Sequence, residues 1–274
     1  MAELTIMRKS AQAPSGEPEA AILQAKDVTC SYTSRDGSSV TAIQRASFDI
    51  RQGEFVSILG PSGCGKSTLL MIMAGLLKAS GGSVSFKGGE IVGPPEDFGF
   101  VFQDPVLLPW RTVQKNVELP GELRGMSGPE LSRRAVAMLE LVKLAGFSAK
   151  YPHELSGGMR QRVAIARALV MNPSLLLMDE PFGALDAMTR DKLNLDLQRI
   201  GIETGATIMF VTHSIPEAVF LSDRVLVMSS RPSTVSAVVS IEIPRPRPIE
   251  MMNTDAFGSY VSELRRRLDG GHNE

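Results

Sequence analysis

Apolar positions in this chain fall into two recurring patterns. Phe55-Val56-Ser57-Ile58-Leu59, Ser174-Leu175-Leu176-Leu177-Met178 and Thr207-Ile208-Met209-Phe210-Val211 are short, nearly continuous apolar runs. Runs of that length predict strands buried on both faces. Elsewhere the apolar residues recur three and four apart. Leu69, Leu70, Ile72, Met73 and Leu76 predict a packed helix over 68–77. Leu131, Ala135, Met138, Leu139 and Val142 follow a capping box, Ser127-Gly128-Pro129-Glu130, and Gly146 closes that segment. Leu193, Leu197 and Ile200 share one face of a helix ending near Gly205. Ser214-Ile215-Pro216-Glu217 is a second capping box, opening a short helix before a strand over 224–228.

The remaining segments complete an α/β order. Residues 21–28 and 46–50 read as strands of a small antiparallel region, joined across the turn-rich tip Ser34-Arg35-Asp36-Gly37-Ser38. Glycine pairs bracket a strand at 81–89, and Gly99-Phe100-Val101-Phe102 is another, ending at Gln103. From about 104 to 170 the composition turns helical, which predicts an inserted α-helical subdomain. The alternating units on either side predict a mostly parallel sheet with an N-terminal antiparallel β subdomain. Residues 1–20 read as a flexible leader, 21–254 as the folded domain and 255–274 as a tail with a possible helix. The run Pro244-Arg245-Pro246-Arg247-Pro248 is expected to end the compact core.

Composition narrows the class. With 274 residues the chain can bury an ample core. Its 29 Lys and Arg against 30 Asp and Glu leave a net charge of −1, which argues against a general nucleic-acid binder. No apolar stretch approaches the ~20 residues that a spanning helix needs. Cys30 and Cys64 supply no disulfide framework and fit a reducing compartment, so the cytoplasm is expected.

The strongest chemical signal lies between the first buried strand and the helix after it. Gly60-Pro61-Ser62-Gly63-Cys64-Gly65-Lys66-Ser67-Thr68 matches G-x-x-x-x-G-K-[ST] in the strand–turn–helix context that the motif requires. Its glycines let backbone N–H groups converge on a β-phosphate at a helix N-terminus. Lys66 would reach the β- and γ-phosphates, and the Ser67 hydroxyl would ligate Mg²⁺. A nucleoside triphosphate is the expected ligand on a P-loop NTPase (RecA-like) core. Met178-Asp179-Glu180 ends a buried strand: Asp179 can hold Mg²⁺, and Glu180 can polarise the attacking water. Cys64, near a helix N-terminus, is expected to have a lowered thiol pKa and to react with alkylating reagents unless ATP protects it.

Leu155-Ser156-Gly157-Gly158-Met159-Arg160-Gln161-Arg162 opens a further helix. Ser156 can cap it, while Gly157 and Gly158 leave its first N–H groups open to an anion. Here the chain resembles the nucleotide-binding subunit of ATP-binding-cassette transporters, whose signature is LSGGQ-like, over roughly 23–243. The resemblance implies that Gln103 is the Q-loop glutamine, helping to ligate Mg²⁺ and sensing the transmembrane partner. It implies that Gly183-Ala184-Leu185-Asp186 is the D-loop and that His213 is the switch histidine contacting the γ-phosphate. Tyr32 would be the aromatic that stacks on adenine. It further implies that two copies sandwich two ATP molecules, with Ser156, Gly157 and Gly158 of each completing the other's site.

One cassette without a fused membrane domain, Tyr151-Pro152-His153-Glu154 before the signature, and Leu107-Leu108-Pro109-Trp110-Arg111-Thr112-Val113 are similar to the nitrate/sulfonate/taurine importer group. That likeness implies two integral membrane permease subunits, a separate substrate-binding protein and a place at the cytoplasmic face of the membrane. Two alternatives stay open: a non-transport ATPase of the same family, and the ATPase of an exporter with a separate permease. Trp110 is either a buried anchor or part of the groove for the permease.

Overall fold

The computed structural model describes residues 21–33, 38–126 and 128–270. The leader, most of the predicted tip at 34–38 and the capping residue Ser127 lie outside these. In chain order the strands are β1 (Ala21–Thr33), β2 (Ser39–Arg51), β3 (Phe55–Leu59), β4 (Gly81–Phe86), β5 (Gly89–Glu90), β6 (Phe98–Val101), β7 (Leu175–Asp179), β8 (Thr207–Thr212), β9 (Arg224–Met228) and β10 (Val235–Ser240). The helices are α1 (Lys66–Met73), α2 (Val113–Leu123), α3 (Gly128–Leu141), α4 (Gly157–Leu169), α5 (Ala187–Thr204), α6 (Ile215–Leu221) and α7 (Asp255–Gly270).

Six strands form the central sheet in the order β10-β9-β3-β8-β7-β6, parallel except for β10 at one edge. The other four form an antiparallel sheet, β2-β1-β4-β5. Alternation along the buried runs divides the core in two. Phe55, Leu59, Leu176, Met178, Ile208, Phe210, Val225 and Val227 face the layer holding the helical subdomain, α5 and α6. Val56, Ile58, Leu175, Leu177, Met209, Val211, Leu226 and Met228 face α1 and the antiparallel sheet. Period-two side chains on a doubly covered sheet produce this division. The chain is thus an α/β P-loop fold.

Several boundaries move for identifiable reasons. Helix α1 begins at Lys66 and stops at Met73, so Leu76 is 51% exposed instead of packed. The segment through Val142 is closed not by Gly146 but by Lys143, which sits at φ 60°. There Leu144 N–H reaches Leu139 O and Lys143 N–H reaches Glu140 O, the paired bonds of a Schellman turn. The second box is only half formed. Ser214 caps α6 by accepting from Glu217 N–H, but the Glu217 carboxylate turns inward to Thr212.

The proline-rich run is irregular, yet it does not end the core. Arg247 is 1% exposed and donates to the carbonyls of Val219, Phe220, Ser222, Ile241 and Ile243. Beyond it, α7 buries Phe257 and Leu264 in the first core layer. Strand β10 had no sequence signal beyond the loosely apolar Val235 to Ser240 stretch. It is an edge strand, with its exposed residues facing outward.

Candidate functional site

Strand register decides which residues leave the sheet together. Leu59 of β3 lies opposite Thr212 of β8, and Val211 lies opposite Asp179 of β7. Gly60, His213 and Glu180 therefore emerge side by side at the carboxyl edge, the position where open α/β sheets place ligands.

In the loop that follows β3, Gly63 and Gly65 have φ of 73° and 118°, a region that L side chains rarely adopt. Among the described residues, the N–H groups of Gly63 and Gly65 meet no protein acceptor. Lys66 is 4% exposed, and its ammonium donates to Gly60 O and Pro61 O, each at 3.0 Å. The same ammonium lies 3.5 Å from Glu180 Oε1. Ser67 Oγ donates to Asp179 Oδ1 at 2.8 Å. Burial pushes the Asp179 carboxyl up, and the Ser67 hydroxyl offsets part of that.

Glu180 sits at φ 41°, an uncommon conformation for a residue with a Cβ. Main-chain bonds hold it there, from Glu180 N–H to Val211 O at 3.0 Å and from Gly183 N–H to Glu180 O at 3.1 Å. Its carboxylate consequently points across the edge, with Oε2 2.8 Å from His213 Nδ1. Gln103 follows β6, and its Nε2 approaches the same corner. A Cβ added at Gly183 would lie 3.5 Å from that nitrogen and 3.7 Å from Glu180 Oε2. Tyr32 is 47% exposed at the end of β1, with its hydroxyl 3.3 Å from Thr68 Oγ1.

Two expectations meet a different environment. Cys64 is buried, and burial pushes its thiol up rather than down, although Lys66 pulls the other way. Position at a helix start lowers a thiol pKa only where the thiolate keeps solvent or a partner. Trp110 is 72% exposed, so it anchors no core.

The signature residues are not part of this cluster. Ser156 caps α4 by accepting from Met159 N–H at 3.3 Å. Gly158 lets α4 approach α5, since a Cβ there would meet Thr189 Cγ2 at 2.7 Å. Among the described residues no hydrogen bond or ion pair links Ser156, Gly157 or Gly158 to the loop at 60–68. The structure thus gathers Gly60 to Thr68, Tyr32, Gln103, Asp179, Glu180 and His213, and leaves the signature apart. Sequence reading passed over Thr212, Arg190 and the role of Glu217, which crowd behind His213. Only burial reveals them.

A glycine-rich loop with unpaired N–H groups, a lysine inside it and an acidic pair on a neighbouring strand agree with comparisons to known proteins. The family described as ABC transporter matches residues 43–183. This chain belongs to that family. The cassette is 49% identical to the taurine import ATP-binding protein of Rhizobium johnstonii, over 78% of this chain and 82% of that one. It is 42% identical to a nitrate import ATP-binding protein of a Synechocystis species, over 92% and 97%. An aliphatic sulfonates import ATP-binding protein of Bacillus cereus is 41% identical, over 88% and 93%. A solved dimeric cassette in a post-hydrolysis state, bound to ADP and Pi, superposes with a TM-score of 0.71. That structure is 36% identical and covers 81% of this chain and 100% of its own. Among the described residues no helix is long and apolar enough to cross a membrane.

Proposed function

We propose that this cassette hydrolyses ATP to energise import of a small anionic solute of the nitrate, sulfonate or taurine type. The observation that carries the reading is the Glu180 carboxylate. It is held between the Lys66 ammonium and His213 Nδ1 at the mouth of the loop whose Gly63 and Gly65 N–H groups meet no protein acceptor among the described residues. Import rather than export follows from the relatives, whose names describe taurine, nitrate and sulfonate import.

In this reading the loop N–H groups and Lys66 bind the phosphates, and Tyr32 stacks on adenine. Glu180 orients the attacking water for in-line displacement, with His213 and Gln103 set around the γ-phosphate. Ser67 and Asp179 fit Mg²⁺, being hard oxygen donors 2.8 Å apart at the loop mouth. No cluster of three His, Cys, Asp or Glu gathers for a metal among the described residues, so phosphate oxygens and Gln103 would supply further ligands. When bound, Mg²⁺ neutralises phosphate charge.

Each chain holds half of the groups, and the separation of Ser156, Gly157 and Gly158 from the loop supports a second copy completing the site. Two such copies would close around ATP and part after phosphate release, which turns a local charge change into motion. Two permease subunits would convert that motion into alternating access, with a substrate-binding protein feeding them. The cassette would then sit peripherally at the cytoplasmic face of the membrane.

Glu180→Gln tests the reading. The variant should bind ATP, lose turnover and elute as a dimer when ATP is present. Wild-type hydrolysis by Glu180→Gln would remove the carboxylate from its role.

A further inference from the structure

His213 is held in place without being packed. Its side chain is 53% exposed, and the contact of its ring with Glu180 is a single hydrogen bond. Something other than side-chain packing must therefore set the ring's position. The backbone on both of its sides is clamped. Thr212, 2% exposed, accepts Ser214 N–H on Oγ1 at 2.9 Å and donates the same hydroxyl to Glu217 Oε2 at 2.6 Å. Glu217, in the first turn of α6, is 6% exposed. A hydroxyl has one proton, so its donation to Glu217 fixes the lone pair that Ser214 uses.

The far side of Glu217 meets Arg190 of α5. Arg190 Nε lies 3.5 Å from Glu217 Oε1, an ion pair too long for a directed hydrogen bond. Arg190 Nη2 donates to Leu185 O at 3.0 Å. Leu185 belongs to the turn that begins at Gly183, beside Glu180 and Gln103. Glu180, Gly183, Arg190, Thr212, His213, Ser214 and Glu217 line one small pocket, which places these groups around a common space beside the site. Burial pushes the Glu217 carboxyl up, and the Thr212 hydroxyl and Arg190 pull it back.

We propose that Thr212, Glu217 and Arg190 are positioning residues that hold His213 against Glu180 and tie that clamp to the turn at Leu185. In this role all three act through His213 and need no contact with nucleotide. The proposal rests on the reading that His213 acts at the γ-phosphate. It adds that displacement of the 183–186 turn is transmitted to His213 through side chains.

ATP turnover and ATP binding of the full chain test this with Thr212→Val, Thr212→Ser, Arg190→Met and His213→Ala. Valine keeps the shape and the strand preference of Thr212 but lacks the hydroxyl. Thr212→Val should lower kcat about tenfold or more with KM for ATP within about twofold, as for a group that acts only on the transition state. Thr212→Ser should rescue kcat, and Arg190→Met should lower it in the same direction. Wild-type kcat in Thr212→Val, or a rise in KM matching the fall in kcat, would overturn the clamp. His213→Ala separates the two readings. If it abolishes turnover while Thr212→Val is normal, the clamp alone fails; if it turns over normally, both fall. Should Thr212→Val fail to fold, Arg190→Met decides, because Arg190 is partly exposed at the far end.

Discussion

The ammonium of Lys66 lies 3.5 Å from Glu180 Oε1, joining the phosphate loop to the end of a strand two places away in the sheet. Lys66 otherwise donates to two loop carbonyls. Those carbonyls take two of its three N–H donors, and a phosphate oxygen would take the third in a bond charged on both sides. Lys66→Ala should therefore weaken ATP binding by about 2 kcal/mol, roughly thirtyfold in Kd. Titration calorimetry with ATP checks it. An unchanged Kd would place the phosphates elsewhere.

Cys64 is buried under the loop with a thiol pushed up, and its Sγ would lie 3.0 Å from a Cβ at Gly60. Slow alkylation at neutral pH is the expected outcome, with the rate rising with pH. Mass spectrometry of iodoacetamide-treated protein measures this. Rapid labelling that ATP blocks would restore the expectation of a reactive loop thiol.

Trp110 offers an exposed indole on the helical subdomain. Trp110→Ala should change folding stability by within about 0.5 kcal/mol, as surface substitutions do. If the residue contributes to the permease groove, the variant should also lose co-purification with the membrane subunits. A large loss of stability would instead return Trp110 to a packing role.

Arg247 is a buried cation whose partners are carbonyls rather than a carboxylate. Burial lowers its pKa to about 10, so it keeps its charge at neutral pH. It gathers the end of α6, the stretch after β10 and Gln198 of α5, since Gln198 Nε2 donates to Arg247 O at 2.8 Å. Arg247→Met should leave several carbonyls unpaired, at ~1–3 kcal/mol each, and destabilise the fold by about 3 kcal/mol or more. Urea unfolding measures the loss. A midpoint equal to wild type would mean that water replaces the guanidinium there.

The buried strands were legible because each is a short apolar run between turn signals; Phe55–Leu59 and Arg224–Met228 keep their expected bounds. The nucleotide loop was equally plain, since its glycines and lysine have meaning only at a strand–helix junction. Lys143 was not legible as a helix stop. Its left-handed φ comes from main-chain bonds that a lysine tolerates and does not advertise. Arg247 was hidden for the opposite reason. A proline-rich, basic run reads as solvated tail, and only the carbonyls converging from the end of α6 and the stretch after β10 make burial of a guanidinium affordable.

Residue type and spacing along the chain determined the phosphate loop, the acidic pair and the signature helix, because each is a local device whose backbone needs are written in neighbouring residues. Which of these meet was settled only by the sheet. The order β3-β8-β7 and its register bring Lys66, Glu180 and His213 within reach, while the signature stays apart on α4. Parallel strands pair across long crossovers, so their neighbours are chosen by how both faces of the sheet are covered, a property of the folded layers that no short stretch of sequence contains.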